Sequence, residues 1–238
     1  MSGSPYAVID HLKVDDALGN LDDAMRWIEC CHEQGLQVVL DMPLNHTSPV
    51  HCWTEFSHWY ICDPAGRAIA PVGTYWNDVI QLNHDEQQVI HAGSEVLKHW
   101  LRAGVDGFRL DAASFIPDAA IQQWINELNT MTTKKLHWWC DGAQYASERP
   151  FFTGYFHHEA FQLALLDNTA WKELLNAPGD GGIFYLTNHD TLQEGVSPAA
   201  QWPGRYEQMR ELIQVSHHHY MLSLSDYNDI HSTYSFIR

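Results

Sequence analysis

Apolar residues recur along this chain with two alternating periods, which predict helices and strands in turn. Residues 21–34 carry apolar side chains at helical spacing. Asn20, with Asp23 three residues on, is expected to cap that helix, and Gly35 is expected to end it. Residues 36–41 follow as a short apolar run that ends in Asp41, as a buried strand would. A polar loop comes next. This order of helix, glycine, strand and polar loop is typical of a parallel sheet with crossover helices.

The same order recurs further along the chain. A second amphipathic helix is predicted after Asp85, which is expected to cap it, and it is closed by Gly104. The remaining predicted elements are strands at 105–111, 136–141, 151–156, 183–187 and 220–224, and helices around 121–128 and 205–215. Because no repeat or linker interrupts them, we expect one domain over residues 1–238. A long irregular segment at about 47–83 lies within it, and loops of that length are usually functional.

Charge and hydropathy exclude several classes of partner. The chain has 13 Lys and Arg against 30 Asp and Glu, a net charge of −17, which argues against a nucleic-acid or anionic-membrane surface. No apolar run approaches the ~20 residues of a membrane helix. Residues 1–5 do not resemble a signal peptide. We therefore expect a cytoplasmic protein that binds neither nucleic acid nor membrane.

The cysteines and histidines offer only weak motifs. The five cysteines lack zinc-like spacing; Cys52 and Cys62 could pair, but free thiols in a reducing compartment are expected. Among the sixteen histidines, residues 217–219 are consecutive and would face different directions on a helix. A metal-dependent hydrolase therefore ranks last among the functions considered.

Arg109 and Asp111 are two residues apart in a predicted strand, so they point to the same face. A guanidinium beside a carboxylate keeps that carboxylate ionised and in place. An ionised, fixed carboxylate at the carboxyl end of a strand could serve as a nucleophile. A purely structural ion pair is the alternative, and this stretch alone leaves it open.

Carboxylates end four of the predicted strands: Asp41, Asp111, Asp141 and Asp190. In a parallel α/β barrel the carboxyl ends of the strands meet at one mouth, where the chemistry takes place. With His46, His189 and Arg109 nearby in sequence, the set suits a reaction that passes through a cation. Glycoside hydrolysis is the leading case. Helix capping is the alternative, and it accounts for one or two of these residues better than for all four.

Three sequence blocks lie in order on these elements: Asp41-Met-Pro-Leu-Asn45-His46, Gly107-Phe-Arg-Leu-Asp111 and Leu186-Thr-Asn-His-Asp190. Two further stretches, Gln81-Leu-Asn-His-Asp85 and Tyr6-Ala-Val-Ile-Asp10, have the same character. On these residues the chain resembles the α-amylase family of retaining α-glycoside hydrolases over nearly its whole length. The resemblance implies a (β/α)8 TIM-type barrel and double displacement at α-linked glucosides or maltooligosaccharides.

The resemblance also implies roles for individual residues. Asp111 would be the nucleophile, Arg109 would hold it ionised, and Asp190 would be a second carboxylate that grips sugar hydroxyls. Tyr6 would stack beneath the sugar with Asp10 supporting it, and Asp41 would brace the site. The other implied substrate contacts are His46, Asn188 and His189. Asn45 matches a position that often ligates calcium in this family.

Three departures from the family pattern change the expectation. Asp141 stands where the family has its acid/base glutamate, and its carboxyl reaches roughly 1.5 Å less. Ser114 and Phe115 replace a frequent Lys and His, which weakens the case for calcium. Only about six of the barrel's eight strands are visible. We therefore expect an incomplete barrel without its first two strands or C-terminal β-domain, and open edges through which copies could self-associate.

An α-glycosidase of the α-amylase type, acting on an α-glucan or oligosaccharide, is the function that the sequence favours. The alternative is a carbohydrate-binding or scaffold protein that keeps this fold with impaired chemistry.

Overall fold

The computed structural model describes residues 4–141, 149–156, 182–185 and 219–221. Within them the predicted alternation of helices and strands is confirmed. The helices are α1 (Leu21–Glu33), α2 (Gln87–Ala103) and α3 (Asp118–Asn129). The strands are β1 (Val39–Met42), β2 (His46–Thr47), β3 (Ile80–Gln81), β4 (Gly107–Leu110), β5 (His137–Asp141), β6 (Gly154–Phe156), β7 (Gly182–Tyr185) and β8 (His219–Met221).

The chain divides into two compact units, Met1–Trp139 and Cys140–Arg238. In the first unit β1 and β4 run parallel in a continuous register, and the backbone N–H of His137, at the start of β5, donates to the carbonyl of Asp106 at 3.0 Å. In the second unit β6, β7 and β8 form parallel pairs. Parallel pairing with intervening helices is the arrangement of an incomplete α/β barrel, as predicted. The prediction of a single domain over residues 1–238 stays a prediction.

Helices α2 and α3 pack through a close approach at Gly93. A Cβ atom at Gly93 would lie 2.8 Å from the Trp124 ring, so a larger residue would push the helices apart. Trp124 is fully buried, and its indole N–H donates to the carbonyl of Ile90 at 2.7 Å. Gly104 ends α2 with φ +109°, the left-handed conformation that favours glycine, as predicted.

Helix α1 differs from the prediction in its burial, and β1 and α2 differ in where they begin or how they are capped. Helix α1 begins as expected at Asn20, whose side chain accepts from the backbone of Asp23 in a capping box, but only Ile28 of its apolar stripe is buried. Strand β1 begins at Val39 rather than at residue 36. Helix α2 is capped by the backbone of Glu86 without a side-chain bond; the predicted cap, Asp85, lies one residue before the N-cap in an exposed turn.

The segment at about 47–83 begins and ends at adjacent strands. Strand β2 pairs antiparallel with β3, with His46 opposite Gln81. Between them lie two short 3₁₀ helices, Cys52–Glu55 and Ser57–Trp59. A small core fixes the segment to α2; its buried members are Trp59, Tyr60, Leu82 and Val89. The segment is irregular, but it is packed around its own aromatic residues.

Gly107 sets the spacing between β4 and β5. A Cβ atom at this position would lie 2.2 Å from the backbone oxygen of His137, far inside van der Waals contact. Because the contacting atom is backbone, no side-chain rotation could relieve the clash. Glycine at the start of β4 is therefore a packing requirement.

Two smaller expectations can be compared directly with the structure. All five cysteines are free, so Cys52 and Cys62 do not form a disulfide. None of the helices in the described ranges is both long enough and apolar enough to cross a membrane.

Candidate active site

Parallel pairing of β1 and β4 brings a group of polar side chains to one sheet edge. Asp41 lies directly opposite Arg109 in the register. Asp111 follows one residue after β4, and its backbone N–H donates to the carbonyl of Met42 at 3.3 Å. Both carboxylates therefore project from the carboxyl ends of neighbouring strands, which is where active sites of parallel α/β folds lie.

A single guanidinium nitrogen links this group. Nη1 of Arg109 donates to Oδ1 of Asp111 at 2.9 Å, so the pair predicted from the two-residue spacing is present. The same nitrogen lies 2.8 Å from each carboxylate oxygen of Asp41. The side chains of Arg109 and Asp111 are only 12% and 14% exposed, so this pairing is largely shielded from water.

Tyr6 completes the polar side of the group. Its hydroxyl donates to Oδ2 of Asp41 at 2.8 Å and lies 3.3 Å from Nη1 of Arg109. The Arg109 guanidinium carbon lies 5.8 Å from the centre of the Tyr6 ring, within cation–π range. Burial, reinforced by the negative charge of Asp41, raises the pKa of Tyr6 well above its usual range. The phenol therefore stays protonated and remains a donor.

His46 approaches Asp111 from the other side. It is 2% exposed, and its Nε2 lies 3.9 Å from Oδ2 of Asp111. Its Nδ1 lies 3.4 Å from the side-chain nitrogen of Asn45, which can only donate.

Two aromatic residues extend the His46 side. The Trp76 ring lies 5.5 Å from the His46 ring and 5.9 Å from the Phe115 ring, centre to centre. The Trp76 and Phe115 planes meet at 66°, edge to face. We refer to Trp76 and Phe115 as the aromatic corner. Trp76 was not predicted as a site residue, and Phe115 was noted only as a departure from the family pattern.

The turn behind Asp111 is strained. Ala112 has φ +50°, and no other non-glycine residue in the described part of the chain has a positive φ. A side chain in this left-handed conformation costs of order 1 kcal/mol, and such strain concentrates at functional sites. The chain then forms a 3₁₀ helix, Ala113–Phe115, whose last residue makes the edge-to-face contact with Trp76.

Buried histidines hold the loop between Asp41 and His46. His11 lies between His51 and the carbonyl of Pro43, with nitrogen–nitrogen and nitrogen–oxygen distances of 3.0 Å. The backbone N–H of Trp53 donates to Nδ1 of His51 at 3.0 Å, so the proton of His51 is on Nε2 and points to His11. His84 contacts the carbonyl of Leu44 at 3.0 Å.

These histidines are neutral supports. Burial lowers the pKa of His11, and it lowers the pKa values of His51 and His84 to about 4. Each therefore donates one N–H without adding charge beside the carboxylates. No periodic pattern marks them, since their partners lie 32 to 40 residues away in sequence.

The remaining predicted site residues are two that the structure describes, Asp10 and Asp141, and three that it does not. Asp10 bonds within its own turn, where its carboxylate accepts from the N–H of Leu12 at 2.9 Å and lies 3.8 Å from Nζ of Lys13. Its support of Tyr6 stays a prediction. Asp141 is the half-buried last residue of β5. Three predicted site residues lie outside the described residues: Asn188, His189 and Asp190.

Asn45 is the residue that the family resemblance links to calcium. It is fully buried, and its Oδ1 has no hydrogen-bond partner. Calcium requires about six to eight oxygen ligands, usually with several carboxylates. Within the described ranges, no group of three or more acidic, histidine or cysteine side chains could hold a metal ion. One orphan amide oxygen does not make a calcium site, so the described residues do not fit this ion.

The sequence of this chain matches a known protein family. A family model of the alpha-amylase catalytic domain matches residues 1–63 and 74–168. Alpha-amylase 3 of Dictyoglomus thermophilum is 28% identical over 154 residues, which cover 56% of this chain and 28% of that protein. The amino acid transporter heavy chain SLC3A1 of Homo sapiens is 29% identical over 151 residues, 48% of this chain and 22% of that protein. The chain thus spans about a quarter of the length of these two relatives.

The solved structures agree on the fold. The crystal structure of an alpha-amylase from Lactobacillus plantarum superposes with a TM-score of 0.74 at 22% sequence identity. The match covers 89% of this chain and 56% of that one. At this identity the likeness shows the fold alone.

Proposed function

This chain belongs to the alpha-amylase catalytic-domain family, and from that membership we propose that it is a retaining α-glycoside hydrolase or transglycosidase acting on α-linked glucosides and maltooligosaccharides. The observation that carries the proposal is the fixed carboxylate of Asp111, bonded to Arg109 at 2.9 Å and faced by His46 at 3.9 Å. A strand-end carboxylate kept ionised by a guanidinium is suited to nucleophilic attack.

In the proposed first step, a carboxylate oxygen of Asp111 attacks the anomeric carbon of the glucosyl unit. The bond to the leaving oxygen breaks, and the leaving group takes a proton from an acid, which gives a β-glycosyl ester on Asp111. In the second step water, or an acceptor hydroxyl, attacks the ester and returns its proton to the same acid. Two inversions give an α-configured product and regenerate the carboxylate.

We assign the acid/base role to Asp141. It is the last residue of β5, and by the family resemblance its position in sequence is that of the catalytic glutamate. Asp190 would contact sugar hydroxyls and favour the distorted ring. Tyr6, Asp41 and His46 would bind the same sugar.

Hydrolysis of α-D-glucosyl fluoride tests the proposal. Fluoride departs with little acid assistance, so the measurement reports on Asp111 even if Asp141 is a poor acid. We expect fluoride release, α-glucose as the first product by NMR, and loss of turnover in Asp111→Asn. β-Glucose as the first product, or no release by folded protein, would contradict it.

A carbohydrate-binding or scaffold role is the second candidate, and one observation favours it. By the family resemblance, Asp141 stands where the catalytic glutamate is expected, and a misplacement of the carboxyl by ~1 Å can cost about 10²-fold in rate. Saturable binding of maltotriose by calorimetry, together with no release of fluoride from the activated substrate, would support this role over catalysis.

An α-glucan or oligosaccharide is the partner that this proposal requires. Self-association through exposed sheet edges stays a prediction, and sedimentation velocity of the 238-residue chain would test it. A cytoplasmic location likewise stays a prediction.

A further inference from the structure

We propose that Ala112 is a positioning residue for the reaction: its β-carbon, in the left-handed backbone conformation, restricts the chain beside Asp111 and so keeps the attacking carboxylate in place. The inference rests on the proposed function, because it takes Asp111 as the nucleophile. It adds a residue that acts through Asp111 and not by contact with the sugar.

The conformation of Ala112 is unusual for a residue with a side chain. Its φ of +50° and ψ of +36° lie in the left-handed region, where the β-carbon crowds the following carbonyl. Every other positive φ in the described part of the chain belongs to a glycine, namely Gly19, Gly35, Gly66, Gly73 and Gly104. Among these positions, a side chain is present only at the one that directly follows Asp111.

Ala112 joins two backbone segments that are each hydrogen-bonded. On one side, the N–H of Asp111 donates to the carbonyl of Met42 at 3.3 Å, at the end of the β1–β4 ladder. On the other side, the N–H of Phe115 donates to the carbonyl of Ala112 at 3.0 Å, within the 3₁₀ turn. The φ and ψ of Ala112 therefore determine how Asp111 is connected to the turn.

The Asp111 carboxylate has contacts that a small backbone movement would break. Its Oδ1 accepts from Nη1 of Arg109 at 2.9 Å, and its Oδ2 lies 3.9 Å from Nε2 of His46. Misplacement of a reacting group by ~1 Å can cost about 10²-fold in rate. Glycine at position 112 would widen the range of φ and ψ beside Asp111, and alanine narrows it. The β-carbon is therefore suited to holding the nucleophile still.

Packing is the alternative reason for an alanine at this position. Ala112 is 2% exposed, so its methyl group is buried, and burial of a methyl group offsets part of the conformational cost. The two roles have different consequences. A methyl group that only packs affects the stability of the fold, whereas one that positions Asp111 also affects the rate of the chemical step.

Three substitutions in the full 238-residue chain separate the two roles. Ala112→Gly removes the β-carbon and the strain together. Ala112→Ser keeps the β-carbon and adds a buried hydroxyl, which should lower stability. Ala113→Gly is the matched control, because Ala113 is the neighbouring alanine, is 1% exposed and has no positive φ.

Single-turnover release of fluoride from α-glucosyl fluoride, with protein in excess, is measured beside the urea midpoint of each variant. For Ala112→Gly we expect the rate constant to fall about 10-fold. Its urea midpoint should stay close to that of the wild type, because relief of strain offsets the lost methyl burial. Ala112→Ser and Ala113→Gly should have lower midpoints, with rate constants within about 2-fold of the wild type.

Amide hydrogen exchange supplies a measurement that needs no turnover. The N–H of Asp111 should exchange about 10-fold faster in Ala112→Gly than in the wild type, because the backbone beside it is less restricted. The N–H groups within β4 should exchange at the wild-type rate, since their ladder with β1 is unchanged.

The outcomes separate this inference from the proposed function. If the wild type hydrolyses the fluoride and folded Ala112→Gly does so with an unchanged rate constant, the positioning role is overturned and the proposed function stands. Rate constants that follow the urea midpoints across all three variants would also overturn it, because packing alone predicts that result. If the wild type releases no fluoride, the proposed function fails. Exchange at Asp111 then decides the inference: faster exchange in Ala112→Gly supports it, and unchanged exchange overturns it.

Discussion

Asp41 and Arg109 are direct partners across the parallel β1–β4 ladder, and their side chains meet with both Asp41 oxygens 2.8 Å from one guanidinium nitrogen. The same nitrogen also bonds Asp111 and the Tyr6 hydroxyl. One cation therefore orders groups from three separate parts of the chain. Without the Arg109 guanidinium, the carboxylates of Asp41 and Asp111 would lie at one sheet edge without this cation between them.

Replacing Arg109 should impair both stability and turnover. We expect Arg109→Gln to lower the free energy of unfolding by about 2–4 kcal/mol, because it leaves partly buried carboxylates unpaired. Hydrolysis of α-glucosyl fluoride should fall at least about 10²-fold, since Asp111 loses its orientation. Urea denaturation and initial rates measure the two effects.

Arg67→Gln is the matched control for Arg109. Within the part of the chain that the structure describes, Arg67 forms its ion pair with Asp63 in an exposed turn, so neither stability nor turnover should change appreciably. Equal losses in both variants would show that the Arg109 effect is a general effect of removing an arginine.

Tyr6→Phe isolates the hydroxyl from the ring. The variant keeps the ring beside the Arg109 guanidinium and removes the donor to Asp41. We expect a loss of about 1 kcal/mol in stability and a 3- to 10-fold loss in glucosyl fluoride turnover. Tyr60→Phe removes a buried hydroxyl that contacts Thr47 at 2.9 Å, away from Asp111. It should lower stability similarly and leave turnover intact.

Asp141→Glu tests the acid/base assignment. If the shorter side chain limits proton donation, the longer one should raise hydrolysis of unactivated maltosides by up to about 10²-fold. The first-turnover burst of fluoride from α-glucosyl fluoride should change little, because only that step is free of the need for proton donation. A parallel rise for both substrates would point to a cause other than leaving-group protonation.

Stability should decrease as the pH falls from about 6.5 to about 4. Burial lowers the pKa of His84 from 6.5 to about 4, so in this window the unfolded chain binds a proton that the folded chain does not. The unfolded state is thereby favoured, by on the order of 2–3 kcal/mol for His84 at the acid end of the window. His11 and His51 act in the same direction.

Urea midpoints across this pH range measure the effect. His84→Gln should be less stable than wild type at pH 7.5 and should show a flatter decline toward about pH 4. His58→Gln, an exposed histidine in the same segment, should reproduce the wild-type curve. A wild-type curve that is flat from about pH 6.5 to about pH 4 would contradict the neutral state of the buried histidines.

The elements with local signals could be predicted from the sequence. Asn20 and Asp23 form the expected capping box, Gly104 ends its helix, and the spacing of Arg109 and Asp111 produces the expected ion pair. In each case the interacting residues lie within a few positions of each other, so the hydrophobic periodicity and the residue propensities of the local sequence are enough to predict them.

The residues that support and extend the site could not be found in this way. His11 meets His51 forty residues away, and Trp76 meets Phe115 across an irregular segment. Such contacts depend on how loops pack, and neither helical nor strand periodicity encodes them. The burial of α1 was also overestimated, because an amphipathic pattern identifies a face without fixing how much of that face is covered.

Gly107 changes how the Gly107–Asp111 block should be compared among relatives. Its backbone lies against His137 so closely that any larger residue would displace a neighbouring strand. The first position of the block is therefore required for packing between strands, and the last position is required for the proposed chemistry. Catalytically inactive relatives are expected to retain the glycine and to vary at the aspartate. The residue at the aspartate position would therefore distinguish active from inactive homologues.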